Sequence, residues 1–414
     1  MISTKRYLWL LAAVAFLVRL ALALALTHNL NEPPTGPSTA DTYEFNTLAE
    51  NVAQGHGFAN HAGRLTSFRA PGFPYFLGAF YMLVGGPNYL LARLLFCVLG
   101  ALACVFTYLI AREVLPENGA RLAGWLSVPY LGHACLAADF LSENLFTPLF
   151  LASLWPLFRY FNRSQDNIWL VVLSAVLMGL STLTRPFTLL MVPLMLLLLL
   201  FVRGGRVGRM AVAAAWVVPF ILLIAPWTIR NYQVHQKFVL IATNGGSTFY
   251  GGNNDRVVDE RSRLGAWLST TELPHRDLID AQPNEVAHDK MEWKLGIAWV
   301  RQHPVKFLIT IPFKLARLLL ALPDVEKLGK PLRALAYLPY VVLFLAGFWV
   351  CFRQKLLSPP WMAVHTTLAA TIIMTMIFWG SARFRDANLG LLAIYASVGL
   401  TYLRGLLLSR RSKA

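Results

Sequence analysis

Residues 39–74, TADTYEFNTLAENVAQGHGFANHAGRLTSFRAPGFP, form the first long polar interruption in an otherwise oily chain. Asp41, Tyr43 and Glu44 open the stretch, and Arg69 stands near its end, just before Pro71-Gly72-Phe73-Pro74. Acids and a base therefore bracket one loop. On each side lies an apolar run, at about 7–27 and 89–111, and a bilayer crossing needs about 20 such residues. The stretch reads as a loop held against a membrane, either an active-site loop or a connector whose charges merely meet water.

Composition supports the membrane reading. Of 414 residues 56% are hydrophobic and only 14% charged, with a mean hydropathy of +0.52, which excludes an ordinary soluble domain. The formal net charge of +16 does not indicate a nucleic-acid partner, because Lys and Arg cluster in short loops and at the termini, where they act as orientation signals. Cys97, Cys104, Cys135 and Cys351 lie in apolar runs and imply no disulfide framework. The N-terminal run shows no clear cleavage site and is expected to be a retained first helix. Arg19 inside it would cost roughly 2.5–3.5 kcal/mol facing lipid, so it is expected to face the bundle or an internal polar cavity.

Counting apolar runs gives an all-α integral membrane protein of about ten spans. The runs are 7–27, 89–111, 121–139, 143–159, 167–184, 187–202, 210–228, 334–352, 360–379 and 388–406. The count becomes twelve if the segments 73–86 and 305–322 cross rather than lie in the interface. The chain then forms one transmembrane domain over 1–414. It has a first extracytoplasmic loop at 28–88 with a juxtamembrane helix, a second at 233–303, and C-terminal membrane helices over 304–406. Within the loops, YEFNTLAENVAQG reads as an amphipathic helix, EVAHDKMEWKLGIAWVRQHP as a second helix, and the pairs Gly245-Gly246 and Gly251-Gly252 as turns. The basic cluster Arg203, Arg206 and Arg209 and the RRSKA tail mark the cytoplasmic side, with both termini inside. The expected location is a bacterial inner membrane, with the site facing outward.

In this topology Asp41, Tyr43, Glu44, Arg69, Asp139, Glu143, Arg185, Arg230, Asn231, Arg383 and Arg385 all reach the outer face, although they are scattered along the chain. Arginines at headgroup depth suit a phosphate, whose oxygens the guanidinium fork binds with parallel hydrogen bonds. The bland alternative for each is a helix-end anchor snorkelling toward water. Asp41 is the expected general base, with Glu44 and Glu143 as further catalytic candidates, although each of Asp41, Asp139 and Glu143 also suits a helix end. Arg69, Arg185, Arg230, Arg383 and Arg385 are the expected donor-phosphate ligands, with Tyr43, Asp139 and Asn231 in support. His56, His61, His235, His275 and His288 show no metal-ligand spacing and read as surface residues. Trp227, Tyr250 and Trp267 read as stacking platforms for a sugar or, more commonly, as belt or loop-core aromatics.

The ordered set Asp41-x-Tyr43-Glu44, Arg69-x-Pro71-Gly72-Phe73-Pro74, Ser142-Glu143-x-Leu145-Phe146, Leu183-Thr184-Arg185-Pro186, Pro226-Trp227-x-x-Arg230-Asn231 and Arg383-Phe384-Arg385 spans nearly the whole chain. It resembles the membrane glycosyltransferases of the protein-mannosyltransferase and aminoarabinose-transferase superfamily. The resemblance implies a GT-C fold and transfer of a sugar from a polyprenyl-phosphate carrier to an extracytoplasmic acceptor, a lipid, polysaccharide or protein. Asp41 matches the loop acid assigned to acceptor activation or metal contact. Arg69 stands where the aminoarabinose transferases carry a lysine near the lipid phosphate. This chain has Arg-Ala-Pro-Gly-Phe-Pro in place of Glu-Lys-Pro-Pro, so the metal-contacting glutamate has no counterpart and no metal ligand carries over. A divalent ion stays open as a cofactor. The rival reading is a flippase or other transporter of lipid-linked sugars, against which stands the lack of internal repeats.

Overall fold

A computed structural model describes residues 3–33, 39–163, 166–201, 208–322 and 329–411. Arg203, Arg206 and the last residues of the RRSKA tail lie outside them. Among the described residues the chain is helical throughout, and its only β pairing is an isolated antiparallel bridge from Ala59 to Leu65.

Helix α1 (Thr4–Leu26) is followed by α2 (Thr39–Ala53) and α3 (Gly72–Leu83) in the first loop, then by α4 (Tyr89–Val114). Helix α2 begins four residues before the expected amphipathic run. Phe45, Leu48, Ala49 and Val52 line its inner face, and Gly55, at φ +79°, ends it in the left-handed conformation that glycine adopts without strain. At 12 residues α3 is too short to cross a bilayer.

The expected span at 121–139 is not one helix. Pro129 lacks the N–H a helix needs and disfavours helical backbone just before it. The segment therefore breaks into α5 (Glu117–Ser127), α6 (Leu131–Ala134) and a 3₁₀ turn at Cys135–Ala138. Helices α7 (Glu143–Arg163) and α8 (Ile168–Thr184), a 3₁₀ turn at Pro186–Leu190, α9 (Met191–Phe201) and α10 (Arg209–His235) complete the first half. The second loop holds α11 (Gly245–Gly251), α12 (Asp255–Asp259), α13 (Arg276–Asp280) and α14 (Glu285–Gln302). Gly245-Gly246 thus opens a helix rather than a turn. A side chain at Gly246 would strike Asp289, Glu292 and Trp293, so glycine lets α11 press onto α14. Last come α15 (Pro304–Leu320), α16 (Lys330–Arg353), α17 (Pro359–Ile377), α18 (Ala382–Asp386) and α19 (Leu389–Arg411).

Among the described residues six helices are long and apolar enough to cross a membrane: α1, α4, α10, α16, α17 and α19. Helix α7, which runs unbroken through Pro148 and Pro156, is buried on nearly every side and forms the centre with α4. Around them α4 packs on α1, α5, α7 and α19, α7 on α8, α8 on α10, and α19 on α16. Lipid tails are as apolar as the helices, so close packing rather than hydrophobic burial drives this association. Gly347 and Gly399 show it directly, since a side chain at either would run into the backbone of the facing helix. Arg19 is 1% exposed and turned into the bundle, as expected. Its guanidinium donates to Ala15 O, Cys104 Sγ and His133 Nδ1 at 3.0–3.2 Å, so His133 accepts on Nδ1. All four cysteines are free and buried.

Candidate active site

Four stretches far apart in sequence meet at the end of the bundle that carries both loops. Asp41 and Glu44 lie in the first turns of α2, and Glu143 begins α7, where the helix dipole favours a carboxylate. Pro186 ends α8 at Thr184 and holds Arg185 in extended backbone, φ −144° and ψ 107°. Gly72 brings the Arg69 loop against that helix end, because any side chain there would collide with Leu183 and Thr184. Ser381 caps α18 by accepting from the Arg383 backbone N–H, and so turns Arg383 toward the same place.

The result is one ion network. Arg69 donates from Nη2 to Asp41 Oδ1 at 2.7 Å and from Nε to Glu44 Oε2 at 2.6 Å. Arg383 donates from Nη1 to the other Asp41 oxygen at 2.7 Å and from Nε to Glu143 Oε1 at 2.5 Å. Arg185 closes the chain on Glu143 Oε1. Three guanidiniums thus face three carboxylates, neutral in sum. The Glu143 side chain is 2% exposed, a burial tolerable only because two arginines hold it. Arg69 also stacks over Phe45 and Phe68. Burial works against ionisation of Asp41, but the charges of Arg69 and Arg383 outweigh it and hold its carboxyl below the usual range. Burial likewise opposes the charge on Arg383, and Glu143 and Asp41 more than offset it, raising its pKa. Among the described residues Arg69 Nη1 and Arg383 Nη2 keep N–H groups without a protein partner, so the network can still receive an anion.

The other expected residues sit elsewhere or in supporting positions. Asp139 accepts from Thr42 Oγ1 at 2.6 Å, which fixes α2 beside Asp41. Tyr43 is 59% exposed on the outer side of α2. Arg230 does not join the network. It donates to Thr66 O, Ser67 Oγ and Phe58 O and lies over Trp227, so it latches the first loop onto α10. Asn231 serves the same latch, holding Val239 O and Ile241 O. Arg385 points away from Arg383. It pairs with Asp386 and Tyr130, donates to Leu318, Leu319 and Ala321 carbonyls at the end of α15, and lies 4.0 Å from the Tyr337 ring centroid. Trp227 and Trp267 donate to Ile241 O and Ser247 O, and Tyr250 is buried, so all three are built into the loop core.

Two residues outside the expected site join the two loops. Glu285, at the start of α14, accepts from Thr66 Oγ1 and Ser67 N at 2.6 Å. His235, expected at the surface, sits against Glu285 Oε1 at 3.2 Å and Ser67 Oγ at 2.9 Å. An acid opening a helix after Asn284 was the available signal, but it reads as ordinary capping. Between the loops lies a cavity of about 210 Å³, lined among others by Tyr43, Glu44, His61, Phe68, Arg69 and Glu285.

The donor set does not suit a metal ion. Among the described residues no three His, Cys, Asp or Glu side chains converge as ligands. The carboxylates of the network are already shared among guanidiniums.

Comparison with known proteins bears on this architecture. A family model described as dolichyl-phosphate-mannose-protein mannosyltransferase matches residues 68–229, a segment holding Arg69, Glu143 and Arg185 but neither Asp41 nor Arg383. By sequence, no curated protein matches. By structure, the chain is similar to the oligosaccharyltransferase AglB of Archaeoglobus fulgidus in complex with an inhibitory peptide and a dolichol-phosphate. That match has TM-score 0.61 and 14% identity, covering 99% of this chain and 51% of that one. It is also similar to ArnT of Cupriavidus metallidurans bound to undecaprenyl phosphate, with TM-score 0.55 and 15% identity, covering 96% and 61%. A further structure of the Archaeoglobus protein, in complex with Zn and sulfate, matches at TM-score 0.58 and 15% identity, covering 96% and 49%. The chain spans about half the length of the oligosaccharyltransferase structures it matches. The fold is that of the GT-C membrane glycosyltransferases.

Proposed function

We propose that this GT-C chain is a glycosyltransferase that takes a sugar from a polyprenyl-phosphate carrier and passes it to an acceptor outside the cytoplasm. The observation that carries the reading is the single network joining Asp41, Glu143, Arg69, Arg185 and Arg383 at the loop end of the bundle. Arg69, Arg185 and Arg383 hold the donor phosphate. Glu143 fixes the last two, and Asp139 steadies α2 through Thr42.

In the reaction an acceptor hydroxyl or amine attacks the anomeric carbon. The bond from that carbon to the phosphate oxygen breaks, and its electron pair leaves with the phosphate. The acceptor proton passes to Asp41. Two arginines hold Asp41 ionised but make it a weak base. An incoming phosphate competes for Arg69 and Arg383, releases a carboxylate oxygen and raises its proton affinity just where the proton is delivered. Donor binding and base activation are thereby one event. The site faces outward from a bacterial inner membrane, with both termini inside.

The test is reconstitution in liposomes with a mixed pool of polyprenyl-phosphate sugars and envelope acceptors, followed by mass spectrometry. Wild type consumes one donor and the Asp41→Asn protein does not. Equal turnover by the two proteins would remove Asp41 from the mechanism. Leaflet exchange of labelled lipid without donor consumption would replace the transferase with a flippase.

A further inference from the structure

The end of the bundle opposite the ion network carries a basic corner that the transferase reading does not use. Helix α19 starts at Leu389, just after α18, and rises about 22 Å before it reaches Arg404, at 1.5 Å per residue. Helix α16 runs beside it in the same direction. A side chain at Gly347 would meet the Tyr395 carbonyl and Gly399, and two residues on the Trp349 and Tyr402 rings lie 5.6 Å apart. That register brings Arg353, the last residue of α16, within about one turn of Arg404. Lys355 follows in the turn after Arg353, and all three side chains are exposed.

Nothing anionic balances these charges. Neither α16 nor α19 contains an Asp or Glu, and among the described residues Arg353, Lys355 and Arg404 have no carboxylate partner. The other helices packed on α19 are α4 and α5, and their acids at this end are already taken. Glu117 is held by both Arg112 and Arg121, and Glu113 by Arg163. Arg353 instead lies over the Trp349 ring, 5.2 Å from its centroid. An apolar stripe of exposed side chains, Leu345, Phe348, Trp349 and Phe352, runs along α16 and ends at Arg353. Cations at the head of a hydrocarbon-facing stripe match a molecule with an anionic head and apolar tails. A bare anion would use the cations alone.

We infer that this corner of α16 and α19 binds an anionic phospholipid of the leaflet at that end, its phosphate between Arg353 and Arg404 and an acyl chain along the α16 stripe. The two guanidinium forks take the phosphate oxygens, and Lys355 adds to the positive field. The bound lipid supplies the counter-charge that the two helices lack.

The experiment is native mass spectrometry of the full chain, delipidated in detergent and titrated with dioleoyl phosphatidylglycerol or dioleoyl phosphatidylethanolamine. The first phosphatidylglycerol binds about tenfold more tightly than the zwitterionic lipid. Arg353→Gln or Arg404→Gln weakens phosphatidylglycerol about fivefold, and the double variant tenfold or more, at roughly one cation's contribution each. Both side chains are exposed, so the variants keep the wild-type unfolding midpoint. Arg6→Gln and Arg209→Gln remove the same charge from other helices at that end and leave the affinity within about twofold. Equal affinity for the two lipids overturns the inference. So does an equal loss in all four single variants, which would mean diffuse charge rather than a site. Inorganic phosphate that displaces phosphatidylglycerol at equal concentration and matched ionic strength would assign the corner to a free anion and overturn it as well.

Discussion

Replacing Glu143 with Gln takes one negative charge from the most buried point of the network. Its side chain is 2% exposed, and its Oε1 serves both Arg383, at 2.5 Å, and Arg185. The substitution keeps the shape but turns a neutral cluster into one of charge +1, leaving Arg185 with no anionic partner and Arg383 with Asp41 alone. Breaking a buried ion pair from one side costs about 3–5 kcal/mol, because the orphaned cation stays desolvated. That cost should appear as a lower midpoint of denaturant unfolding in detergent, followed by tryptophan fluorescence. Two further readings separate charge from shape. Glu143→Gln combined with Arg185→Gln removes the orphan as well, and should be more stable than the single variant. Undecaprenyl phosphate should stabilise the single variant more than wild type, since its phosphate supplies the missing charge; at a hundredfold excess over Kd a ligand contributes about 2.7 kcal/mol. The reasoning fails if the single variant unfolds within about 1 kcal/mol of wild type. It fails equally if the double variant is the less stable.

Asp41→Asn should lower transfer by about 10²–10⁴-fold while undecaprenyl phosphate still binds, because general-base catalysis contributes that much; single-turnover assays beside lipid-binding titrations check it. Arg230→Ala should cost about 1.5–3 kcal/mol of stability through its lost contacts to Thr66 and Phe58 carbonyls, with donor affinity of the folded fraction unchanged. A clear loss of that affinity would return Arg230 to the phosphate site. Glu292 in α14 is held up at about 7, above its ordinary 4.5, first by burial and then by Asp289. The folded state therefore holds its proton more tightly than the unfolded state, and stability falls as pH rises from about 4.5 to about 7. Glu292→Gln should flatten that slope in a pH series of unfolding midpoints. Gly347→Leu should force α16 from α19 and lower the midpoint sharply, since a side chain there meets the Tyr395 carbonyl.

For Asp41 itself the sign is opposite. A depressed folded-state pKa contributes stability above its unfolded value of 3.8, and that contribution is lost only as pH falls below it. A stability change between pH 5 and 8 therefore does not come from Asp41.

By itself the sequence determined the all-α membrane class and the position of most apolar helices. Hydropathy is a local, additive property, so apolar runs mark helices able to enter a membrane, and Pro186 and Gly55 mark helix ends by backbone geometry alone. It also placed Asp41, Glu44, Arg69, Glu143 and Arg185 at one end of the bundle, since parity follows from counting spans. The broken segment at Pro129 marks the limit of that counting. Only the tertiary structure decided which charges meet. Arg383 and Arg385 are two residues apart on a five-residue helix, yet one reaches Asp41, 342 positions away, and the other turns to Asp386 and the end of α15. Arg185 and Arg230 each stand near the loop end of an apolar helix. One holds Glu143 and the other the carbonyls of a loop. A guanidinium takes whichever acceptors the packed helices bring within about 3 Å, and that choice is set by contacts between segments the sequence holds far apart.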